Sequence, residues 1–248
     1  MALLERLGAD DLRRAVTGYR DALAAHRDAI NRLNVYPVPD GDTGTNMSLT
    51  LESVVAELDG AGPDMAATCK AISHGSLMGA RGNSGVILSQ LFRGFAEHVI
   101  ETGSAALDGA GLAGALARAD ALAWRAVTEP KEGTILSVSR SVADRLGERV
   151  DTEPTVPLAA VITLAVATAT DALERTPSQL PALARAGVVD AGGAGYLLLI
   201  EALARVIHGQ PPQADDDPLR RHLGWARPVL PPRAHAEASG GDDGEGPA

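Results

Sequence analysis

The sequence predicts an all-α protein, and three observations support this. Apolar residues recur at steps of three and four over long stretches, as on the buried face of an amphipathic helix. Hydrophobic residues make up 45% of the 248-residue chain but aromatic residues only 3%, so the core must consist largely of Ala, Leu, Val and Ile, which suits closely packed helices. No stretch shows the convincing period-two alternation of a half-buried strand.

The predicted helices follow one another with short breaks. The first, residues 10–34, carries an apolar stripe that includes Leu12, Val16 and Tyr19. Segments that contain glycine or proline separate most of the later helices, because these residues interrupt helical hydrogen bonding. The other predicted helices span residues 45–58, 64–78, 86–101, 112–127, 135–149, 158–175 and 196–208, with a short helix at 178–186.

The helical pattern predicts one domain over residues 1–209, followed by a tail over residues 210–248. Residues 211–248 hold seven of the fifteen prolines, a run of three aspartates and an acidic, glycine-rich end. This composition is typical of disordered segments. Trp225 in the tail is a candidate for recognition of a partner or for packing against the domain itself.

Charge and cysteine content narrow the function classes. The net charge of −10 argues against general nucleic-acid binding, which requires a basic surface. The most apolar stretch, residues 156–169, is too short and too rich in alanine and threonine for a membrane span. Cys69 is the single cysteine, so no intrachain disulfide can form, and the first residues do not resemble a signal peptide. A cytoplasmic location is therefore expected.

Asp40 and Asp42 lie two residues apart in a segment, residues 34–47, that is rich in proline and glycine. Prolines stiffen the approach, and glycines permit turns that side chains forbid. Thr45 or Asn46 can cap the next helix, because a side-chain oxygen can accept hydrogen bonds from the free amides of its first turn. Carboxylates bind Mg²⁺, and a helix N-terminus binds phosphate. The segment therefore predicts a site for Mg²⁺ and a nucleoside triphosphate, with a tight turn and two solvated carboxylates as the alternative.

A second glycine-rich segment, residues 79–85, leads directly into a predicted helix. It is not a Walker A loop, because no Gly-Lys-Ser/Thr sequence ends it. Its glycines nevertheless allow backbone amides to converge, and Asn83 and Ser84 add donors at the helix start. Arg81 can pair with a phosphate through two parallel hydrogen bonds. The segment predicts phosphate binding, with a glycine turn and a solvated arginine as the alternative.

A third such segment, residues 187–195, contains four glycines and Asp190. Asp190 can bond a ribose hydroxyl or cap the last helix, and both roles are open at this point. A further break, residues 129–134, offers Thr134 as the N-cap of the next helix. Three glycine-rich segments that each lead into a helix N-terminus predict an anion site where these N-termini meet at one end of a bundle.

Four segments together resemble the ATP-binding domain of bacterial fatty acid kinase, which is similar to the nucleotide-binding L domain of dihydroxyacetone kinases. They are Asn34–Met47, Met78–Phe95, Glu129–Leu136 and Ala186–Leu199, and the resemblance spans about residues 5–209. It implies an eight-helix antiparallel barrel with ATP bound at one end. It also implies Mg²⁺ held by carboxylates of the first of these segments.

The resemblance assigns roles to individual residues. It implies that Asp40 and Asp42 bind metal and that Asp190 lies near the nucleoside. The dihydroxyacetone kinase L domain uses a third metal-binding aspartate before this pair. The nearest equivalent here is Asn34, one residue further away, which is either a weak ligand or a structural residue. The residues that match loops holding phosphate are Thr43, Thr45, Asn46, Gly82, Asn83 and Ser84.

The predicted function is Mg²⁺-ATP-dependent phosphoryl transfer to a fatty acid carboxylate that a separate lipid-binding protein presents, with an acyl phosphate as product. Asp40, Asp42 and Arg81 are then the candidate catalytic residues, since phosphoryl transfer depends on positioning and on charge neutralisation. Two alternatives are a dihydroxyacetone-type kinase subunit, which acts on a hydroxyl, and a non-catalytic ATP-binding regulatory module. A homodimer is a candidate assembly.

Overall fold

The computed structural model describes residues 3–210, and every named element in that range is a helix. The all-α prediction is therefore confirmed, and a single isolated bridge between Leu7 and Leu107 is the β-type pairing within the described range. The predicted tail, with Trp225, lies outside the described residues apart from Gln210. The helices are α1 (Ala9–Leu33), α2 (Thr43–Asp59), α3 (Met65–Gly79), α4 (Gly82–Thr102), α5 (Gly109–Ala126), α6 (Ile135–Thr152), α7 (Leu158–Gln179), α8 (Pro181–Ala186) and α9 (Ala191–Ile207).

The long helices form a closed ring. Each packs against the next along the chain, α7 packs against α9, and α9 packs back against α1. The six-residue helix α8 belongs to the connection between α7 and α9. Because short connections join consecutive helices, neighbours run in opposite directions. The N-termini of α2, α4, α6 and α9 therefore share one end of the barrel with the C-termini of α1, α3, α5 and α7.

Four helices begin at least two residues earlier than the sequence pattern predicts. Helix α2 starts at Thr43 instead of residue 45, α4 at Gly82 instead of 86, α5 at Gly109 instead of 112, and α9 at Ala191 instead of 196. Glycines usually weaken a helix, but glycines in these first turns lie close to other parts of the chain. A Cβ atom on Gly109 would lie 2.2 Å from the carbonyl oxygen of Val156, and one on Gly85 would lie 2.6 Å from the hydroxyl oxygen of Thr50 on α2. The glycine-rich segments are thus mainly helical turns that allow close packing.

The cap predicted for α2 also differs. Neither Thr45 nor Asn46 caps the helix, because both lie inside it. Asn34, directly after α1, accepts a hydrogen bond from the backbone amide of Thr43 at 3.1 Å. Asn31 of α1 accepts one from the amide of Thr45 at 3.1 Å. Side chains of the preceding helix therefore satisfy amides that a local cap would otherwise bind.

Gly44 supports a stability prediction about the contact between α1 and α2. A Cβ atom at this position would lie 2.3 Å from the carbonyl oxygen of Arg27, which belongs to the backbone of α1. We expect Gly44→Ala to lower the free energy of unfolding by about 2 kcal/mol or more, because the two helices must move apart. Urea unfolding followed by circular dichroism measures this change.

Gly18, in the middle of α1, provides the matched control. An added Cβ atom there would meet no heavy atom within 4 Å. Gly18→Ala is expected to stabilise the protein by about 0.5–1 kcal/mol, because alanine has the higher helix propensity. Equal effects of the two substitutions would contradict the close approach of α2 to α1.

Candidate nucleotide site

A cleft of about 650 Å³ opens at the barrel end where α2, α4, α6 and α9 begin. This volume is in the range of small-molecule binding sites. Four parts of the chain line the cleft: the loop between α1 and α2, the start of α4, the connection between α5 and α6, and the start of α9. Segments far apart in sequence therefore meet at one place.

The cleft brings together most of the residues singled out from the sequence. Three predicted residues do not line it, namely Thr45, Asn46 and Arg81. The predicted residues that do line it are Asn34, Asp40, Asp42, Thr43, Gly82, Asn83, Ser84 and Asp190.

Asn34 organises the loop that carries the two aspartates. It is 6% exposed, and its amide nitrogen donates to the carbonyl oxygen of Val38 at 3.0 Å. Its Oδ1 atom accepts hydrogen bonds from the amides of Asp42 and Thr43 and from the Thr43 hydroxyl, at 3.2, 3.1 and 2.8 Å. Because three donors already occupy this oxygen, the geometry favours the structural role of Asn34 over the ligand role.

Asp40 and Asp42 are both exposed at the rim that Asn34 holds in place. Among residues 3–210, no three His, Cys, Asp or Glu side chains group closely enough to hold a metal without other ligands. A pair of carboxylates still fits Mg²⁺, which retains water and accepts phosphate oxygens as ligands. The donor set thus suits a metal that arrives with a polyphosphate.

Thr45 and Asn46 lie in the first turn of α2 and contact neighbouring parts of the chain. The Thr45 hydroxyl accepts a hydrogen bond from the side-chain amide of Asn31 at 3.0 Å. The amide nitrogen of Asn46 lies 2.4 Å from the position that a Cβ atom on Gly82 would occupy. Gly82 also has a positive φ of 56°, so a glycine there allows α4 to start directly beside α2.

Arg81 is directed away from the cleft in this structure. Its guanidinium group donates to the carbonyl oxygen of Ala80 at 2.9 Å and to that of Met78 at 3.4 Å. These carbonyls lie at the C-terminus of α3, where positive charge is favourable. A phosphate contact by Arg81 stays a prediction that would require the side chain to leave these carbonyls.

Asp190 caps α9, which was one of its two predicted roles. Its carboxylate accepts a hydrogen bond from the amide of Gly193 at 2.7 Å and further ones from the amides of Gly192 and Ile135. Ile135 is the first residue of α6, so the same carboxylate joins the N-termini of α6 and α9. Burial raises the pKa of Asp190 to about 6, while these three hydrogen bonds act in the opposite direction.

The raised pKa predicts a pH-dependent contribution of Asp190 to stability. In the unfolded chain the pKa is about 3.9, so between about pH 4 and pH 6 the folded protein binds more protons than the unfolded chain. Stability from this group is therefore fully present below about pH 4 and is lost as pH rises through about 6. We expect the advantage of the wild type over Asp190→Asn in urea unfolding to shrink across this interval. An advantage that grows with pH would mean that the hydrogen bonds outweigh burial.

The connection between α5 and α6 belongs to a segment that carries the family resemblance, but no binding role was predicted for its residues beyond the cap at Thr134. Thr134 caps α6 as predicted, since its hydroxyl accepts from the amide of Leu136 at 3.4 Å. Lys131 and Glu129 in the same connection line the cleft. A signal was present, because Gly133 and Thr134 precede a helix as the glycines of the other segments do.

The charges of the cleft favour a cation together with a phosphate ligand. Four carboxyl groups among the described residues line it (Asp40, Asp42, Glu129 and Asp190), with Lys131 as the one cationic side chain of that lining. Helix N-termini attract anions, whereas the carboxylates repel them. A divalent cation bound by Asp40 and Asp42 would reduce this conflict.

Comparison with known proteins identifies the family. A family model described as the DAK2 domain matches residues 37–205. Protein YloV of Bacillus subtilis is 42% identical over 189 residues, which cover 76% of this chain and 34% of YloV. An uncharacterized protein of Staphylococcus aureus is 41% identical over 194 residues, with 77% and 34% coverage. The chain thus spans about a third of the length of these relatives.

A solved structure shares the fold. The dihydroxyacetone kinase of C. freundii in its native form superposes with a TM-score of 0.57 at 17% sequence identity, over 82% of this chain and 36% of that chain. The match agrees with the closed ring of helices described above. Since the family model covers more than half of the sequence, this chain belongs to the DAK2 domain family.

Proposed function

We propose that this chain binds Mg²⁺-ATP in the cleft and transfers the terminal phosphoryl group to a fatty acid carboxylate. One observation carries the proposal: the first turns of α4, α6 and α9 and the Asp40–Asp42 loop before α2 line the same cleft. Helix N-termini supply amide donors and positive potential for phosphates. The aspartate pair supplies ligands for the accompanying metal.

In this proposal the parts of the cleft have different tasks. Asp40 and Asp42 hold Mg²⁺, which when bound neutralises charge on the phosphates. Thr43 and the α4 turn, with Gly82, Asn83 and Ser84, supply donors to phosphate oxygens. Asn34 keeps the Asp40–Asp42 loop in shape, and Asp190 holds together the two helix starts beside it.

The chemistry of the acceptor fits the described side chains. In the transfer, a carboxylate oxygen of the fatty acid bonds to the terminal phosphorus while the bond from that phosphorus to the leaving oxygen of ADP breaks. A fatty acid is already ionised at neutral pH, so this reaction needs no general base. None of the described residues that line the cleft is a histidine. Positioning and charge neutralisation then provide the catalysis.

The surface near the cleft supports a separate protein as the carrier of the acceptor. Val38 and Val86 line the cleft and are 58% and 45% exposed. Leu77 and Met78, at the end of α3 just before the start of α4, are 59% and 63% exposed. Exposed apolar residues next to a polar site are typical of protein interaction surfaces. We therefore propose that a lipid-binding protein docks there and presents the fatty acid.

Within residues 3–210, no helix combines the length and the apolar character needed to cross a membrane. We propose a cytoplasmic location, where ATP and Mg²⁺ are available. The single cysteine, Cys69, is buried and free, which agrees with a reducing compartment.

Calorimetric titration followed by product trapping tests the proposal. ATP is titrated into the protein with and without Mg²⁺, and a Mg²⁺-dependent dissociation constant on the order of 10 µM is expected. The protein is then incubated with Mg²⁺-ATP, a fatty acid and a fatty-acid-binding protein in the presence of hydroxylamine. Hydroxylamine converts an acyl phosphate to a hydroxamate but does not react in this way with a sugar phosphate.

Each outcome selects one function. ADP and hydroxamate together support fatty acid phosphorylation. If dihydroxyacetone and its binding subunit replace the fatty acid and its carrier, formation of ADP without hydroxamate would support the hydroxyl kinase. Binding of Mg²⁺-ATP without transfer to either acceptor would support a regulatory module, and no nucleotide binding by the folded wild type would overturn the proposal.

A further inference from the structure

Lys131 lies in the Glu129–Leu136 segment, but it is not among the residues to which the family resemblance assigns a role. It lies in the connection between α5 and α6 and lines the cleft. Within the described lining it is the one side chain with a positive charge, since Arg81 donates to carbonyl groups at the end of α3 instead. The chain contains one other lysine, Lys70, in α3.

The backbone on the C-terminal side of Lys131 is held firmly. The Thr134 hydroxyl donates to the carbonyl oxygen of Lys131 at 2.9 Å, and the amide of Gly133 donates to the Ser137 hydroxyl at 2.9 Å. Ser137 in turn donates to the carboxylate of Glu132. The lysine side chain therefore starts from a fixed point at the rim of the cleft.

Gly133 fixes this connection against α7. It has a positive φ of 79°, a conformation that glycine adopts without strain. A Cβ atom there would lie 2.9 Å from the carbonyl oxygen of Thr176 and 2.8 Å from the Cβ atom of Leu180. A larger residue at this position would push the connection, and Lys131 with it, away from the barrel.

The ammonium group of Lys131, in contrast, is held only loosely. Its Nζ atom lies 3.7 Å from a carboxylate oxygen of Glu129, and the two side chains are 52% and 81% exposed. Exposed ion pairs of this length contribute little to stability. The side chain can therefore exchange Glu129 for a more highly charged anion at low cost.

We propose that Lys131 is a phosphate-binding residue that leaves Glu129 and pairs with the terminal phosphates of the bound nucleotide. The inference rests on the proposed function and extends it, because it names Lys131 as a positive side chain for the phosphates in addition to the Mg²⁺ that Asp40 and Asp42 would hold. Lysine suits this role, since its ammonium group has three rotatable donors and forms strong charge-assisted hydrogen bonds with phosphate. Glu129 acts as the internal competitor that occupies Lys131 in the free protein.

Lys131→Met tests this inference, and Lys70→Met is the matched control because both remove an exposed lysine. Titration calorimetry measures binding of Mg²⁺-ATP, Mg²⁺-ADP and adenosine to each variant, and thermal unfolding measures stability. We expect Lys131→Met to weaken Mg²⁺-ATP binding about 10-fold or more, to weaken Mg²⁺-ADP binding less, and to leave adenosine binding and the melting temperature unchanged. Glu129→Gln is expected to tighten Mg²⁺-ATP binding by about twofold to fivefold.

The results separate this inference from the proposed function. Wild type that binds Mg²⁺-ATP while Lys131→Met binds it equally well overturns the role of Lys131 and leaves the proposed function intact. A variant that loses adenosine and Mg²⁺-ATP to the same degree also overturns it, because the effect is then structural. Wild type that binds none of the three ligands overturns both.

Discussion

Replacement of Asp42 by asparagine is expected to abolish Mg²⁺-dependent ATP binding and to lower phosphoryl transfer about 100-fold or more. The substitution removes one of two carboxylates at the rim of the cleft, while the backbone of the loop stays held by Asn34. An amide is a neutral and weaker ligand for Mg²⁺, so charge on the phosphates would be left unbalanced. Titration calorimetry and a coupled assay for ADP measure the two effects.

Asp59→Asn is the control for this experiment. Asp59 is the last residue of the same helix, α2, and is also exposed, but it lies at the opposite end of the barrel. Its substitution should leave binding and transfer unchanged. A rate of phosphoryl transfer by Asp42→Asn within about threefold of the wild-type rate would contradict the assignment of Asp42 as a metal ligand.

The second large effect is expected for Asn34→Ala. This change leaves the amides of Asp42 and Thr43 without the oxygen that now accepts from both. It also leaves the carbonyl oxygen of Val38 without its donor. Because these groups lie in a partly buried loop, the free energy of unfolding should fall by about 2–4 kcal/mol. Mg²⁺-ATP binding should weaken as well, since the aspartates lose their fixed positions.

Asn31→Ala provides the comparison, because Asn31 makes analogous bonds from α1 to Thr45 but is only half-buried. It should cost less stability and affect nucleotide binding less. Urea unfolding of both variants measures the loss of stability, and titration calorimetry measures the loss of Mg²⁺-ATP binding. If Asn34→Ala were no more harmful than Asn31→Ala, the central role of Asn34 in the loop would be refuted.

Much of the fold was predictable because it depends on local periodicity. The apolar stripe of α1, with Leu12, Val16 and Tyr19, has the spacing of a helix, and all three residues are buried. The ends of helices were less predictable. The glycines at the starts of α4 and α9 indicate turns when read locally, but Gly85, Gly192 and Gly193 lie inside the first turns of these helices, where other parts of the chain come close to them.

The residues of the candidate site also differ in how far the sequence predicts them. Asp40, Asp42, Gly82, Asn83 and Ser84 belong to continuous segments, and the structure places all of them in the cleft. Which of them bind metal or phosphate stays a prediction. Asn34 could be identified as a candidate but not assigned one of its two roles, because its bonding partners lie up to nine residues away in the chain.

The sequence by itself determined the helical class and the segments that meet in the cleft, since helix periodicity and turn chemistry are properties of neighbouring residues. Only the tertiary structure decided that Arg81 is bound to the end of α3, that Asp190 joins α6 to α9, and that Lys131 lines the cleft. These three outcomes depend on which helix ends become neighbours when the ring closes. That closure is a long-range packing event, and no single segment of the sequence encodes it.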